Sequence, residues 1–172
     1  MATYYSDHFS SDGISRTTRE NTFPATGRGV SKVFSVIAYA KALALTTDVI
    51  RMFSVPSGCR VLELLASADD AAAAGAFHVG LHKSEALGGA VIDANLFGDA
   101  IAKDAARVDA LIEATTITKM TRGQFLWQMA DAGDGTYTKD PNEIWDVTIT
   151  PSTSFTTTAN GFLLEAKIIL GS

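Results

Sequence analysis

Cysteine is almost absent from this chain. Cys59 stands alone among 172 residues, so no internal disulfide can staple the fold and nothing calls for an oxidising compartment. With no histidine or other base near it in sequence, Cys59 reads as a buried or half-buried spectator thiol and not as a nucleophile. Basic residues are outnumbered: 14 Lys and Arg face 19 Asp and Glu, a formal net charge of -5 without a basic patch, which opposes a general nucleic-acid-binding role. Glycine (14) and proline (4) are too sparse and aperiodic for a fibrous chain. Long apolar runs are missing too. The most apolar stretch, Val36 to Leu45, is broken by Lys41 and is too short to span a bilayer. The opening MATYYSDHFSSDG has neither region of a secretory signal, so synthesis and assembly are expected in a cytoplasm.

What is present is 47% hydrophobic against 19% charged residues, the composition of a globular protein. A chain of this length can bury about 70% of its unfolded surface unaided. The organising stretch is Asp48 to Ala68, DVIRMFSVPSGCRVLELLASA. It reads as two extended apolar runs folded back on each other at Pro56-Ser57-Gly58, where Pro56 presets φ for the first corner position and Gly58 can take φ above zero. Alternation puts Val49, Arg51, Phe53 and Val55 on one face and Ile50, Met52 and Ser54 on the other. The second run, with Val61, Leu62, Leu64 and Leu65 around Glu63, suits a strand covered on both sides. A buried helix competes, but Pro56 and Gly58 cap its length tightly.

Residues 1–29 are polar and turn-rich and lack an apolar period, so they form either a floppy terminus or an arm that orders on a neighbouring subunit. From Val30, strand, bend, strand is expected through Leu45. Ala71 to Gly75 is a loop or one helical turn capped by Asp70. Ala76 to His82 alternates cleanly, with Phe77, Val79 and Leu81 opposed to His78, Gly80 and His82, and predicts a half-buried strand. Gly88-Gly89 turns the chain. Asp93 then caps an expected helix, ANLFGDAIAKDAA, with Leu96, Phe97, Ala100 and Ile101 on one stripe. Thr115 to Thr118 suggests extended structure again. Thr121 to Asp131, with Phe125, Leu126, Trp127 and Met129, is a short helix or a strand that buries Trp127. Ile144 to Thr150 alternates Trp145, Val147 and Ile149 against Asp146, Thr148 and Thr150, and a threonine-rich turn, Pro151 to Gly161, leads to a last strand, Phe162 to Leu170. The expected fold is therefore all-β: an antiparallel β-sandwich or jelly roll over residues 30–172, with one or two short helices and an extended arm at 1–29.

Three apparent motifs dissolve on inspection. Gly75 and Gly80 have phosphate-loop spacing, but Lys83 comes two residues late and the segment is itself the strand. His78 and His82 lie about 13 Å apart along a strand at 3.3 Å per residue and cannot share one metal ion. Asp131, Asp134, Asp140 and Glu143 fail the helix-loop-helix calcium spacing and read as an acidic surface loop. There is no G-x-S-x-G, no HExxH and no cysteine cluster, so no catalytic residue, metal ligand or cofactor is assigned and an enzyme is not expected.

The order Asp48-Val49-Ile50-Arg51-Met52, Val55-Pro56-Ser57-Gly58 with Arg60-Val61, Ala68-Asp69-Asp70, Val79-Gly80-Leu81, Gly89 with Val91-Ile92-Asp93-Ala94, and Trp127 before an acidic-glycine loop resembles the head decoration, or cement, proteins of tailed bacteriophages. The likeness spans residues 30–170; the Ala71 to Gly75 loop and Lys103 to Glu113 are less typical. It implies a jelly-roll virion protein without catalytic residues, made in the host cytoplasm, that binds the outside of a capsid lattice and stabilises it. Its partners would be the major capsid protein and sister copies, with neither nucleic acid nor membrane. Arg16, Arg19 and Arg28 would contact acidic capsid patches, with Tyr4, Tyr5 and Phe23 beside them, the alternative being solvated charges. The rival reading is a carbohydrate- or receptor-binding β-sandwich of a phage tail or fibre, for which Tyr4, Tyr5 and Tyr137 are the free aromatics.

Overall fold

The corner at Pro56-Ser57-Gly58 forms, but the runs on either side of it do not pair with each other. A computed structural model describes residues 3–5, 30–37, 42–43, 48–68, 75–102, 108–109, 124–131, 136–152, 155–156 and 162–169. Among the described residues the strands, in chain order, are β1 (Thr3–Tyr5), β2 (Val30–Ile37), β3 (Ala42–Leu43), β4 (Val49–Pro56), β5 (Arg60–Ala68), β6 (Ala76–Lys83), β7 (Val91–Ala102), β8 (Val108–Asp109), β9 (Ile144–Pro151), β10 (Phe155–Thr156) and β11 (Phe162–Ile169), with one α-helix, α1 (Leu126–Asp131). They form a five-stranded sheet ordered β1-β4-β9-β6-β7, a four-stranded sheet ordered β2-β11-β5-β8 and the ribbon β10-β3. All pairs are antiparallel except β1 with β4. The molecule is an all-β sandwich.

β4 already has β1 and β9 on its two edges, so the chain leaves the sheet at the corner and β5 joins the opposite one. This overturns the expected hairpin. The physical gain is face-to-face burial: Phe53 and Val55 of one wall and Val61, Leu64 and Ala66 of the other share a single core, which pairing edge to edge would not achieve. Cys59 N donates to Pro56 O at 3.1 Å and closes the turn. Gly58 does not use positive φ; among the described residues the glycines that do are Gly88 and Gly89. Its lack of a side chain matters because a Cβ would come within 2.5 Å of Asp140 Oδ2.

Simple alternation fails wherever a bulge intervenes. In the β4–β9 ladder Arg51 faces Thr148 and Phe53 faces Val147, so Met52 is an extra residue that turns Arg51 to one face and Phe53 to the other. In β5 the register against β11 slips at Leu62, which is why Val61 and Leu64 are both buried while Leu62, Glu63 and Leu65 are half-buried; the strand is covered fully on one side only.

β6 and β9 occupy the middle of the five-stranded sheet. Phe77, Val79 and Leu81 are fully buried as expected, but Gly80 and His82 are buried too, so β6 is covered on both faces. The expected helix after Asp93 is instead β7. Three irregularities in its pairing with β6 insert extra residues and bring Leu96 and Phe97 successively into the core, which mimics a helical stripe; Ala100, expected on that stripe, is exposed with φ of 51°. Asp93 does not cap a helix but accepts from Asn95 N at 3.1 Å within the strand. The threonine-rich turn also contains β10, paired to β3. Trp127 is half-buried on α1, which buries Leu126, Met129 and Ala130 instead. Ala71 to Ala74, Thr115 to Thr118 and Asp134 lie outside the described residues. No helix among the described residues is long and apolar enough to cross a membrane.

Candidate functional site

Register sorts the middle of the five-stranded sheet into two faces. Val79, Ile149 and Ile50, then Leu81, Val147 and Phe53, lie side by side on the core face. On the other face His78 pairs with Thr150, Gly80 and Arg51 flank Thr148, and His82 and Ser54 flank Asp146. The alternation of β9 is therefore real, but its polar side is not solvated: Asp146 is 1% exposed and Thr148 is fully buried.

Arg51 is the hub of that face. Its guanidinium donates to Asp146 Oδ2 at 2.5 Å and to the carbonyls of Lys83 (2.9 Å) and Gly89 (3.2 Å). Nε lies 3.1 Å from Glu85 Oε1, an ion-pair distance without hydrogen-bond alignment. Ser54 Oγ donates to Asp146 Oδ1 at 2.6 Å. Burial raises the Asp146 carboxyl above its ordinary range, outweighing the opposing pull of Ser54 and Arg51. His82 Nδ1 sits 2.9 Å from Thr148 Oγ1; burial first, then the Arg51 charge, pushes the imidazole down to about 4. The lid over this face is the chain itself. A Cβ on Gly80 would collide with the backbone of Asp93 and Ala94, where the β7 edge strand bulges against β6, and the Glu85–Leu87 3-10 turn ends in Gly88 and Gly89 at φ of 87° and 66°.

A second cluster fixes the corner. Ser57 Oγ donates to Asp140 Oδ1 at 2.5 Å and accepts from Glu143 N at 3.0 Å, while Leu126 N and Trp127 N donate to the carbonyls of Cys59 and Ser57. Glu143 accepts from Lys83 Nζ and from Trp145 Nε1, and the Trp145 bond leads in holding its carboxyl below the ordinary range. Burial pushes the Cys59 thiol up to about 12, so it is no nucleophile. Tyr137 is not free for a sugar platform: its ring packs on Trp145 at 5.4 Å. At the far end His78 Nδ1 lies 2.8 Å from Asp99 Oδ1 and 3.1 Å from Ala100 N; one ring nitrogen cannot donate to the first and accept from the second at once. Among the described residues no three His, Cys, Asp or Glu side chains gather as a metal site.

Of the partner-binding candidates read from sequence, only Tyr4 and Tyr5 fall among the described residues. Tyr4 and Tyr5 fall in β1, opposite Ile50 and Arg51 of β4, at the edge of the five-stranded sheet. Arg16, Arg19, Phe23 and Arg28 lie outside the described residues. The residues the pattern underrated are Arg51 and Asp146. Their signal was an arginine inside an apolar run and an aspartate beside Trp145, each costly to bury unless paired.

No family model matches this chain, and no curated protein matches it. Two solved structures are similar. A chain of the capsid of Ralstonia phage GP4 is 14% identical, with 99% of each chain covered at a TM-score of 0.49; a chain of the Cyanophage Pam1 capsid asymmetric unit is 14% identical, with 90% of this chain and 97% of that one covered at 0.48. At this identity and TM-score neither likeness assigns a function.

Proposed function

We propose that this chain is a non-enzymatic virion structural protein of a tailed phage that binds the outer surface of the capsid lattice and cements it. The supporting observation is where the residues that carry the resemblance fall. Asp48 to Met52 lead into β4 and supply Arg51; Val55 to Gly58 make the corner that changes sheets; Val79-Gly80-Leu81 is the middle of β6; Gly89 and Val91 to Ala94 form the lid over Gly80 and Arg51. The likeness thus runs through the frame and not through scattered surface positions. The ionisable side chains Arg51, Asp146 and His82 of the buried face are each engaged by a neighbour, Arg51 with Asp146 and His82 with the Thr148 hydroxyl, as suits a scaffold that works by protein contacts. In this reading residues 1–29, with Arg16, Arg19 and Arg28, grip the shell, which lies outside the molecule's own core.

Co-sedimentation of the purified protein with expanded, empty shells of the neighbouring capsid protein tests the reading. Saturable binding at a fixed ratio is expected. Absence of binding, together with binding to a glycan array, would replace it with the tail or receptor-binding role.

A further inference from the structure

Residues 84–90 join β6 to β7 without entering the core. Glu85 to Gly88 and Ala90 are exposed, Ser84 and Gly89 are half-buried, and none of them belongs to the apolar cluster. Yet the side chain they close over, Arg51, is buried, as are Asp146, which it binds, and His82, which pairs with Asp146 across the β6–β9 ladder. A segment that buries no apolar side chain thus shields three ionisable ones.

Its backbone bonds are local. Leu87 N and Gly89 N donate to Ser84 O, Gly88 N donates to Glu85 O, and Lys83 N donates to Ala90 O across the neck of the turn. What ties the turn down to β4 is Arg51, which donates to Lys83 O and Gly89 O at its two ends and sets Nε 3.1 Å from Glu85 Oε1. A segment fixed by a few polar contacts lies at the low end of local stability, whereas β4, β6 and β9 around it carry the core. Once released from Arg51, a three-residue 3-10 turn has no stability of its own.

Acid bears on the same latch. Around His82 stand Arg51 from β4 and Asp146 and the Thr148 hydroxyl from β9; Lys83 on its own strand is held by Glu143, Glu85 on the turn lies against Arg51, and Asp93 of β7 sits opposite Leu81. Both Asp146 oxygens already accept, one from Arg51 and one from Ser54. A proton on His82 therefore adds a second buried cation beside Arg51 and favours the conformation in which water reaches the ring. Asp146 opposes this as pH falls, because burial makes its closed form the better proton acceptor. We propose that residues 84–90 form a flap latched by Arg51, which opens as a unit while the sandwich stays folded and opens more readily in acid. The flap stands whether or not the chain binds a shell.

Amide hydrogen exchange of the full chain, followed by NMR and corrected for the intrinsic effect of pH, tests it. The Leu87, Gly88 and Gly89 amides are expected to be protected, but to open far more often than the amides of β6 and β9 and with little dependence on denaturant. Glu85→Gln, on an exposed side chain, should raise their opening about threefold and Arg51→Lys at least about tenfold, with the β6 and β9 amides still protected. With His82 moving from about 4 when closed towards the ordinary 6.5 when open, opening should rise from pH 7 to pH 5 about twentyfold more in the wild type than in His82→Asn. Turn amides that are unprotected, or that exchange only in step with the core, would overturn the proposal. So would opening that Glu85→Gln leaves unchanged, or an equal pH response in wild type and His82→Asn.

Discussion

Arg51 and Asp146 show how one buried pair can be indispensable without being a strong source of stability. With Asp146 1% exposed, removal of Arg51 leaves a carboxylate in the interior and frees the carbonyls of Lys83 and Gly89. Arg51→Met is expected to cost about 3–5 kcal/mol in chemical denaturation, whereas Arg51→Met with Asp146→Val recovers much of that loss because no charge remains buried. A single variant within about 1 kcal/mol of wild type would show that the pair carries little. His82 adds a pH dependence of definite sign. Its folded value of about 4 lies below the ordinary 6.5, so the folded state binds the proton less well, and the stability it contributes is complete above 6.5 and lost as pH falls towards 4. From pH 7 to pH 5 that is about 2 kcal/mol. Asp146, raised by burial, works in the opposite direction as pH falls through its folded value. Comparing wild type with His82→Asn isolates the histidine: the variant's unfolding free energy should vary less between pH 7 and 5, and an equal slope would remove His82 from the account.

At the scale of elements, close approach and backbone conformation make separable demands on glycine. A methyl group at Gly80 meets the backbone of Asp93 and Ala94, whereas at Gly88 it meets open space and only the cost of φ at 87°. Gly80→Ala is therefore expected to cost about 3 kcal/mol or more and Gly88→Ala about 1 kcal/mol, read from denaturant midpoints; the reverse order would mean that the β7 bulge does not press on Gly80. Strands β4, β5, β6, β9 and β11 were legible because turn residues and apolar alternation agree locally. Their partners were not, since nothing local in Asp48 to Ala68 distinguishes a hairpin from a corner between two sheets. β7 was misread for a related reason: pairing with β6 overrides a helix-like spacing that its bulges create. The burial of the polar side of β9 was hidden because the chain that covers it, β7 and the Glu85–Leu87 turn, is distant in sequence.

For the whole molecule, the frame and the arm are expected to be separable. β1 spans only Thr3–Tyr5 at the edge of the five-stranded sheet, while the buried core among the described residues comes from β4, β5, β6, β7, β9, α1 and Cys59 of the corner. Deletion of residues 1–29 should leave a cooperative unfolding transition and abolish shell binding; undiminished binding would remove the arm from the mechanism. The proposed cementing role makes a thermodynamic demand, since a protein that binds the intact shell and not its dissociated subunits must raise the shell's stability by mass action. Calorimetry of expanded, empty shells with and without saturating protein tests this most directly. The account predicts a melting temperature that rises with occupancy and then levels off at a fixed stoichiometry. A melting temperature unchanged at full occupancy would contradict it.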